Sequence, residues 1–294
     1  MDEPIIVGID IGTTKICTLV GRVEDDGLLR ILGVGIEPSH GMRKGVPVDV
    51  RAVTQAISRS IEKAEHTSGM EITSALVSLA GSQVSSVNSR GVVGVSGRTI
   101  GEDDVIRSME AARAVAIPMD REVIHVLPQE YMVDDERGIQ NPVGMSGVRL
   151  EAKIHIVTGA VASAHNIVKC ANRSGLDVCD IVLESLASGE AVLTEEEKEL
   201  GVALLDLGGG TTDLAIFSGN NIKHTFVLAL GGNNLTNDIA IGLRAPHAEA
   251  EKIKKKYGNC LARNISSEET IEVPGMAGRE ARKLSRQILG EILE

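Results

Sequence analysis

Two short segments of the chain combine residue types that bind phosphate and a divalent cation. They span residues 10–15 and 206–213, and in each an aliphatic run precedes an aspartate, a glycine turn and two threonines. Glycines let backbone N–H groups approach an anion, threonine hydroxyls add donors, and Asp10 or Asp206 can bind Mg²⁺ or its waters. The two segments therefore predict a site that grips β- and γ-phosphates from opposite sides, with Lys15 as a point charge.

Taken alone, either turn is equally well explained as an ordinary hairpin whose glycine serves the backbone. Ordinary turns need not repeat Asp, Gly and Thr-Thr in register, so the pair favours phosphate binding. The site is not a P-loop, because no G-x-x-x-x-G-K-[ST] segment occurs. A repeat nearly two-thirds of the chain apart also predicts two similar lobes that face each other.

Three further features are open between a binding role and a structural one. The turn at residues 230–234 precedes an apolar-periodic helix with Asn233 as its N-cap, and its N–H groups either face phosphate or simply begin the helix. The charged run at 251–256 is a solvated helix face or a contact to ribose and base. Glu184 orients an attacking water or is a structural carboxylate.

Composition limits the class of protein. The 294 residues carry a formal charge of −11, and 43% are hydrophobic, with no Trp, two Tyr and two Phe. The acidic balance and the scarcity of stacking aromatics argue against a nucleic-acid binder. A signal peptide is not expected because the N-terminus carries no basic region, and a spanning helix is not expected because no apolar run reaches about 18 residues. The four cysteines lie far apart and His125 and His155 lie among apolar residues, so we expect reduced thiols, no zinc site and structural histidines.

Hydrophobic periodicity predicts alternating strands and helices around these motifs. Short aliphatic runs predict strands at 5–10, 16–20, 28–36 and 72–80. Asp49 opens a helix that Gly69 ends. From residue 85 to 157, Gly, Ser and Pro turns indicate an inserted subdomain, whose one strong helix begins at a capping box formed by Thr99 and Glu102.

Further helices are predicted in the second half of the chain. One runs from near Ser163 to Gly175, one joins the two halves at 183–193, and one with Glu251 ends at Gly258. Residues 195–199 form a charged surface run. The last helix, at 278–294, has an amphipathic stripe.

The phosphate segments resemble the phosphate-1 and phosphate-2 motifs of the actin/Hsp70/sugar-kinase superfamily. Other segments are similar to those of the FtsA family of bacterial cell-division proteins, and the resemblance covers essentially the whole chain. The segment Asn-Pro-Val-Gly-Met is far more specific than the phosphate turns. The motifs are Gly41-Met42-Arg43-Lys44-Gly45, Val126-Leu127-Pro128-Gln129-Glu130-Tyr131, Asn141-Pro142-Val143-Gly144-Met145, Leu150-Glu151 and Gly231-Gly232-Asn233-Asn234-Leu235-Thr236.

The resemblance implies an α/β protein with an actin-like, two-lobed ATPase fold whose lobes are ribonuclease-H-like. Residues 1–84 and 158–200 would form the core of lobe I (1A), with the small subdomain 1C inserted at 85–157. Residues 201–242 would form the core of lobe II (2A), and 243–294 subdomain 2B. Because the family continues with a second adenosine motif, further strands and a membrane-targeting helix, we expect an incomplete second lobe and a truncated chain.

The resemblance also implies ATP and Mg²⁺ as cofactors. By motif position, Asp10 and Asp206 would hold the metal, largely through water, and Glu184 would orient the attacking water. Glu251 and Lys254 would contact ribose or base. Arg286 would dock the C-terminal tail of FtsZ. The residues that would hold the phosphates or complete the cleft are Gly12, Thr13, Thr14, Lys15, Gly208, Gly209, Gly210, Thr211, Thr212, Gly231, Gly232, Asn233 and Asn234.

In function, the resemblance implies a scaffold that polymerises and links FtsZ to the cytoplasmic face of the inner membrane at the division site. Subdomain 1C would contribute to filaments and bind other division proteins, a C-terminal helix would attach to the membrane, and ATP hydrolysis would be slow at most. The alternatives are a sugar or small-acid kinase and an Hsp70-like ATPase of the same superfamily. Against them, we identify no additional aspartate as a base for a substrate hydroxyl, no substrate lid and no peptide-binding domain.

Overall fold

The computed structural model describes residues 4–97, 99–275 and 280–294, and the chain forms two compact units, one ending at Ala229 and the other beginning at Leu230. The described strands are β1 (Ile5–Ile11), β2 (Lys15–Val23), β3 (Leu29–Pro38), β4 (Met42–Arg43), β5 (Val46–Pro47), β6 (Ser74–Leu79), β7 (Val84–Gly94), β8 (Arg121–Val133), β9 (Glu136–Ile139), β10 (Arg149–Ala160), β11 (Asp177–Leu183), β12 (Val202–Leu207), β13 (Thr212–Ser218), β14 (Asn221–Leu228), β15 (Thr270–Val273) and β16 (Arg282–Ser285). The described helices are α1 (Val50–Ser68), α2 (Glu102–Arg113), α3 (Val161–Arg173), α4 (Glu184–Val192), α5 (Glu195–Leu200), α6 (Gly232–Gly242), α7 (His247–Tyr257) and α8 (Arg286–Leu293), with a 3-10 turn at Ala262–Asn264. Among the described helices, none has both the length and the apolar character needed to cross a membrane.

The first sheet of the first unit has five strands in the order β11-β6-β1-β2-β3. β1 pairs antiparallel with β2 and parallel with β6, which is parallel to β11. Helices α1 and α3 contribute to its core, where Ile9, Ile16, Ile57 and Val77 are buried. The four strands predicted in this region are confirmed, and their alternation of buried and exposed residues is that of a sheet packed on helices.

Helix α1 begins and ends where its capping residues predict. The Asp49 carboxylate accepts hydrogen bonds from two N–H groups of the first turn, and Gly69 ends the helix in the left-handed region. α1 packs closely on β3 because two strand positions lack a side chain. A Cβ on Gly35 would lie 1.9 Å from the Ser60 carbonyl oxygen, and one on Gly33 would lie 2.7 Å from the Ala64 carbonyl oxygen.

The chain between β6 and α3 forms a separate sheet of four strands in the order β7-β10-β8-β9. We call this part, from β7 to β10 with α2, the inserted subdomain. Helix α2 packs on β7 and β10. Leu150 and Ile154 of β10 are fully buried in its core.

The predicted start of α2 is wrong by two residues. Its N-cap is Gly101, and the Asp104 carboxylate accepts a hydrogen bond from the Gly101 N–H. Thr99 cannot cap the helix because it forms a bridge with Ser146 and is still part of an extended segment. The strand-like pairing therefore delays the helix until the glycine.

The third sheet of the first unit repeats the start of the chain. Its strands have the order β12-β13-β14, and the β12–β13 hairpin corresponds to β1–β2. Helix α4 packs on β12 and β13. The following charged run, predicted to lie on the surface, forms α5, and one of its residues is buried: the Lys198 side chain is 5% exposed and pairs with Glu190 at 2.9 Å.

The second unit has its own core around α6, α7, α8 and the β15–β16 hairpin. Ile239, Ile253 and Leu289 are buried in it. α7 is followed by Gly258, as predicted. The prediction that Asn233 is the N-cap of α6 is wrong. Gly231 occupies the N-cap position, and its N–H donates to the Asn234 side chain.

The predicted last helix is too long. Residues 282–285 form β16, which pairs with β15, and α8 begins only at Arg286 after the N-cap Ser285. The physical reason is that Leu284 pairs with Ile271 in the hairpin, so its apolar side chain serves a strand and not a helical stripe. The predicted start at Gly278 lies outside the described residues.

Candidate functional site

The two glycine turns of the first unit have the same backbone hydrogen bond. The Gly12 N–H donates to the Lys15 carbonyl oxygen at 3.0 Å, and the Gly208 N–H donates to that of Thr211 at 2.9 Å. In the same register Asp10 pairs with Cys17, and its counterpart Asp206 pairs with Asp213. The aspartates and the first glycines are therefore equivalent, as predicted.

The two threonine pairs are not equivalent, which corrects one part of the predicted repeat. Because the hydrogen bonds align Lys15 with Thr211, the pair Thr13-Thr14 lies within the first turn, whereas Thr211 closes the second turn and Thr212 begins β13. The positions in the second turn that correspond to Thr13 and Thr14 are Gly209 and Gly210. One turn thus carries hydroxyls where the other carries only backbone.

This difference allows the turns to lie against each other. A Cβ on Gly209 would lie 2.1 Å from Thr14 Cγ2, and one on Gly210 would lie 2.8 Å from Thr13 Oγ1. A side chain at either glycine therefore requires the opposite threonine to move. The two glycine turns therefore lie together at one place, and glycine turns are a common source of anion-binding nests.

The two aspartates that precede the turns are each held by a serine. Ser78 Oγ donates to Asp10 Oδ1 at 2.9 Å, and Ser188 Oγ donates to Asp206 Oδ2 at 3.0 Å. Ser78 also accepts a hydrogen bond from the Ile11 N–H at 3.2 Å. These bonds fix the orientation of both carboxylates at the strand ends.

Burial and, to a lesser extent, neighbouring charges raise the pKa of several carboxyl groups in this site. Burial and the nearby Asp10, Asp206 and Asp213 carboxylates raise the pKa of Glu184 to about 8. Burial, together with the Asp206 charge, raises the pKa of Asp213 to about 6, and burial also raises that of Asp10. Such mutual repulsion between acids favours a cation at their centre.

Asp213 was not singled out by sequence analysis, although it ends the second motif. Its side chain is buried, and its Oδ1 has no hydrogen-bond partner among the residues that the structure describes. The neighbouring Thr211 hydroxyl and Gly81 N–H lower the pKa of Asp213, but burial outweighs them. A buried carboxylate oxygen without a partner is costly and is expected where a ligand or ion binds.

Residues of the two turns, together with Asp10, Asp206 and Glu184, line a cleft of about 530 Å³, a size typical of small-molecule sites. In the described part of the chain, no three acidic, histidine or cysteine side chains are arranged to ligate a metal directly. The predicted site residues that line the cleft are Asp10, Gly12, Thr13, Thr14, Lys15, Glu184, Asp206, Gly208, Gly209 and Thr211. Gly210 and Thr212 belong to the same hairpin but do not line it.

The predicted residues of the second unit form a cluster of their own. The Lys254 ammonium donates to the Gly232 carbonyl oxygen at 2.9 Å and pairs with Glu251 at 2.7 Å. The Thr236 hydroxyl donates to Glu251. Burial alone would raise the pKa of Glu251, but the hydrogen bonds from Lys254 and Thr236 outweigh it and lower the pKa to about 2. The roles of this cluster and of residues 231–234 toward a nucleotide stay predictions.

Arg286, the predicted partner-binding residue, is anchored at the start of α8. Its guanidinium pairs with Glu269 at 2.5 Å and donates to the Tyr257 carbonyl oxygen at 2.9 Å. Its side chain is 25% exposed. A partner would therefore meet an arginine whose orientation is already fixed.

Ser188 could have been found by spacing alone, whereas Ser78 requires knowledge of which strand pairs with β1. Ser188 follows Glu184 by one helical turn, so both lie on the same face of α4. Ser78 lies in the strand parallel to β1, one pair beyond the Ile9–Val77 pairing and hence beside Asp10. The sequence analysis predicted both elements but assigned no role to either serine.

We expect Glu184→Gln to stabilise the nucleotide-free, metal-free protein as pH rises. The folded-state pKa of about 8 lies above the ordinary value of 4.5, so the folded state binds the proton more tightly and loses stability between about pH 4.5 and 8. Glutamine removes that loss, a gain of roughly 2 kcal/mol at pH 8.5 after allowance for solvent screening. Urea unfolding at pH 5 and 8.5, in the presence of EDTA, measures it. Equal stability differences at both pH values would contradict the assignment.

Comparison with protein-family models gives two matches. Residues 81–158 match the model described as "SHS2 domain inserted in FTSA", and residues 203–290 match "Cell division protein FtsA". The relative from Pseudomonas aeruginosa, named cell division protein FtsA, is 50% identical over 289 residues, which cover 98% of this chain and 69% of that protein. Those from Escherichia coli K12 and Bacillus subtilis, with the same name, are 42% and 38% identical and are covered over 70% and 67% of their length.

Solved structures of low sequence identity share the fold. The PilM-PilN type IV pilus biogenesis complex matches with a TM-score of 0.65 at 17% identity, over 86% of this chain and 70% of that chain. MreB 5 of Spiroplasma citri bound to AMPPNP matches with a TM-score of 0.54 at 15% identity, over 100% and 75%. The fold is thus an actin-like α/β ATPase fold that carries an inserted subdomain.

Proposed function

The chain belongs to the FtsA family of cell-division proteins, and on that premise we propose that it is an ATP-binding, actin-like scaffold that polymerises and links FtsZ to the inner membrane. The observation that carries the nucleotide part is the contact between the two glycine turns at the mouth of one acidic cleft. A structural neighbour, MreB 5 of Spiroplasma citri, is bound to AMPPNP, which supports the same proposal.

The residues of the cleft fit a magnesium-bound triphosphate. The N–H groups of both turns, the hydroxyls of Thr13 and Thr14 and the Lys15 ammonium would bind phosphate oxygens. Asp10 and Asp206 would hold Mg²⁺ through its waters. When bound, the metal would offset the negative charges of the phosphates and of the carboxylates. Glu184, with its raised pKa, would hold a proton near the site or orient a water there, consistent with slow hydrolysis at most.

Partner binding is proposed for the second unit and for the inserted subdomain. Arg286 would contact the FtsZ C-terminal tail through the exposed part of its anchored guanidinium. The inserted subdomain would contribute to self-association into filaments and bind other division proteins. The protein would act on the cytoplasmic face of the inner membrane at the division site.

Sedimentation tests the two parts of the proposal separately. Mg-ATP is expected to increase the pelleted fraction of the protein, and binding of a labelled FtsZ-tail peptide is expected to weaken about tenfold or more in Arg286→Ala. Arg263→Ala is the matched control, because Arg263 is an exposed arginine of the same unit. Absence of both ATP-favoured assembly and tail binding would contradict the proposal. Acceleration of ATP consumption by sugars would instead favour a kinase.

A further inference from the structure

The inserted subdomain is joined to β14, the strand that pairs with β13 after the second phosphate turn, by two opposed β-bulges. On β8 the extra residue is Gln129, since Glu130 and Pro128 pair with consecutive residues of β10. On β14 the extra residue is Lys223, since His224 and Ile222 pair with consecutive residues of β13. Bulges place side chains where a regular strand could not, and they are common near functional sites.

The two bulge residues bind each other reciprocally. The Gln129 amide donates to the carbonyl oxygens of Ile222 at 2.8 Å and Lys223 at 2.9 Å, and the Lys223 ammonium donates to the Gln129 carbonyl oxygen at 3.2 Å. Gln129 is 1% exposed. We call this pair with its neighbours Asn88, His155 and Thr225 the clasp.

The neighbours extend the contact along β14. The Asn88 amide donates to the Lys223 carbonyl oxygen at 3.1 Å, and its Oδ1 lies 2.6 Å from His155 Nδ1. His155 is fully buried, and its Nε2 lies 2.9 Å from Thr225 Oγ1. Most of these bonds end on the backbone or a short side chain of β14. The inserted subdomain is therefore bonded directly to that strand.

A second attachment lies at the root of the inserted subdomain. A Cβ on Gly210, in the second phosphate turn, would lie 3.2 Å from Lys44 Cα. A Cβ on Gly45 would lie 2.6 Å from Gly81 Cα, and the Gly45 N–H donates to Thr13 Oγ1 at 3.3 Å. The Gly-Met-Arg-Lys-Gly motif, for which the proposed function gives no role, thus ends between the first phosphate turn and this root.

The β13–β14 hairpin connects the two attachments. Asp213, beside the phosphate turn, pairs with Val227, and Ala215 pairs with Thr225 of the clasp. If Asp213 or its turn moves, β14 moves with it. The clasp bonds to a buried backbone would then break and leave carbonyl groups unpaired unless the inserted subdomain follows.

We propose that the clasp makes the inserted subdomain responsive to the occupant of the phosphate site, with Gln129 as a positioning residue. The inference rests on the proposed nucleotide binding. In the proposed function the inserted subdomain provides a surface for binding partners. The inference adds that its conformational order depends on whether a Mg-nucleotide occupies the cleft. By reciprocity, loosening the clasp changes nucleotide affinity.

Hydrogen exchange of the whole chain, with and without Mg-AMPPNP, tests the proposal. In the unmodified protein the nucleotide is expected to slow amide exchange in β8 and β10 about fivefold or more. In Gln129→Met, which keeps the size but removes the donor, the effect is expected to fall below about twofold. Lys153→Met is the matched control, because Lys153 pairs with Glu130 on the same two strands outside the clasp.

Calorimetry of nucleotide binding separates the possible failures. If the unmodified protein binds no Mg-AMPPNP, the proposed function fails and this inference fails with it. If it binds and exchange in β8 and β10 does not change, or if Gln129→Met retains the full effect, only the inference is overturned. Should Gln129→Met fail to fold, Lys223→Met removes the other half of the reciprocal pair, and full retention of the effect there is equally contrary.

Discussion

Replacing Asp206 by alanine is expected to weaken Mg-ATP binding by roughly 100-fold, whereas Glu184→Ala is expected to cost less than about tenfold. Ser188 orients the Asp206 carboxylate toward the cleft at the end of β12, beside the turn that would hold the phosphates. Glu184, with a pKa of about 8, is mostly protonated at pH 7, so its removal takes little negative charge from the metal site. Calorimetric titration at pH 7 measures both affinities.

Two controls separate the metal from the rest of the site. Asp135→Ala removes an exposed aspartate that lies outside the cleft and should leave affinity unchanged. Repeating the titration in EDTA should erase most of the difference between Asp206→Ala and the unmodified protein, because the lost interaction is with Mg²⁺. A larger loss from Glu184→Ala than from Asp206→Ala would overturn the assignment of roles.

Gly35→Ala is expected to destabilise the first unit by about 3 kcal/mol or more. The new Cβ would lie 1.9 Å from the Ser60 carbonyl oxygen, and backbone on both sides leaves no flexible side chain to yield. At the same contact the buried hydroxyl oxygens of Thr18 and Ser60 lie 2.7 Å apart, and the Ser60 hydroxyl donates to the Gly35 carbonyl oxygen. Moving α1 away from β3 would break these bonds as well.

Gly8→Ala is the matched control, since Gly8 lies in strand β1 of the same sheet and a Cβ there meets nothing within 4 Å. Its substitution should be neutral or slightly stabilising, because alanine restricts the unfolded chain more than glycine does. The midpoint of urea unfolding for the two variants gives the comparison. Equal midpoints would show that the α1–β3 contact can adjust without cost.

Local signals explain most of what could be predicted from sequence. Asp49 and Gly69 bound α1 because a side-chain cap and a left-handed glycine act within a few residues. The repeated Asp-Gly pattern predicted two equivalent turns because strand, turn and strand are consecutive in the chain. The hydrogen bonds of Gly12 and Gly208 confirm that equivalence.

The errors arose where distant pairing decides local structure. Thr99 has the spacing of a capping box, yet its bridge to Ser146 keeps the chain extended. Leu284 fits a helical stripe, yet its partner Ile271 holds it in a hairpin. The same reason hid the contacts of Gln129 with residues more than 90 positions away, since nothing near Gln129 in sequence indicates which strand it will meet.

The inserted subdomain begins and ends at adjacent positions of the first unit. Val84 at the start of β7 pairs with Gly159 near the end of β10, and the Ala160 N–H donates to the Gln83 carbonyl oxygen at 3.2 Å. Because paired residues lie only about 5 Å apart, the two ends of the inserted segment are no farther apart than the two ends of a tight turn. A different domain could therefore replace the inserted subdomain between these positions without altering the strands that carry the cleft. It would have to supply new hydrogen-bond donors for the Ile222 and Lys223 carbonyl groups.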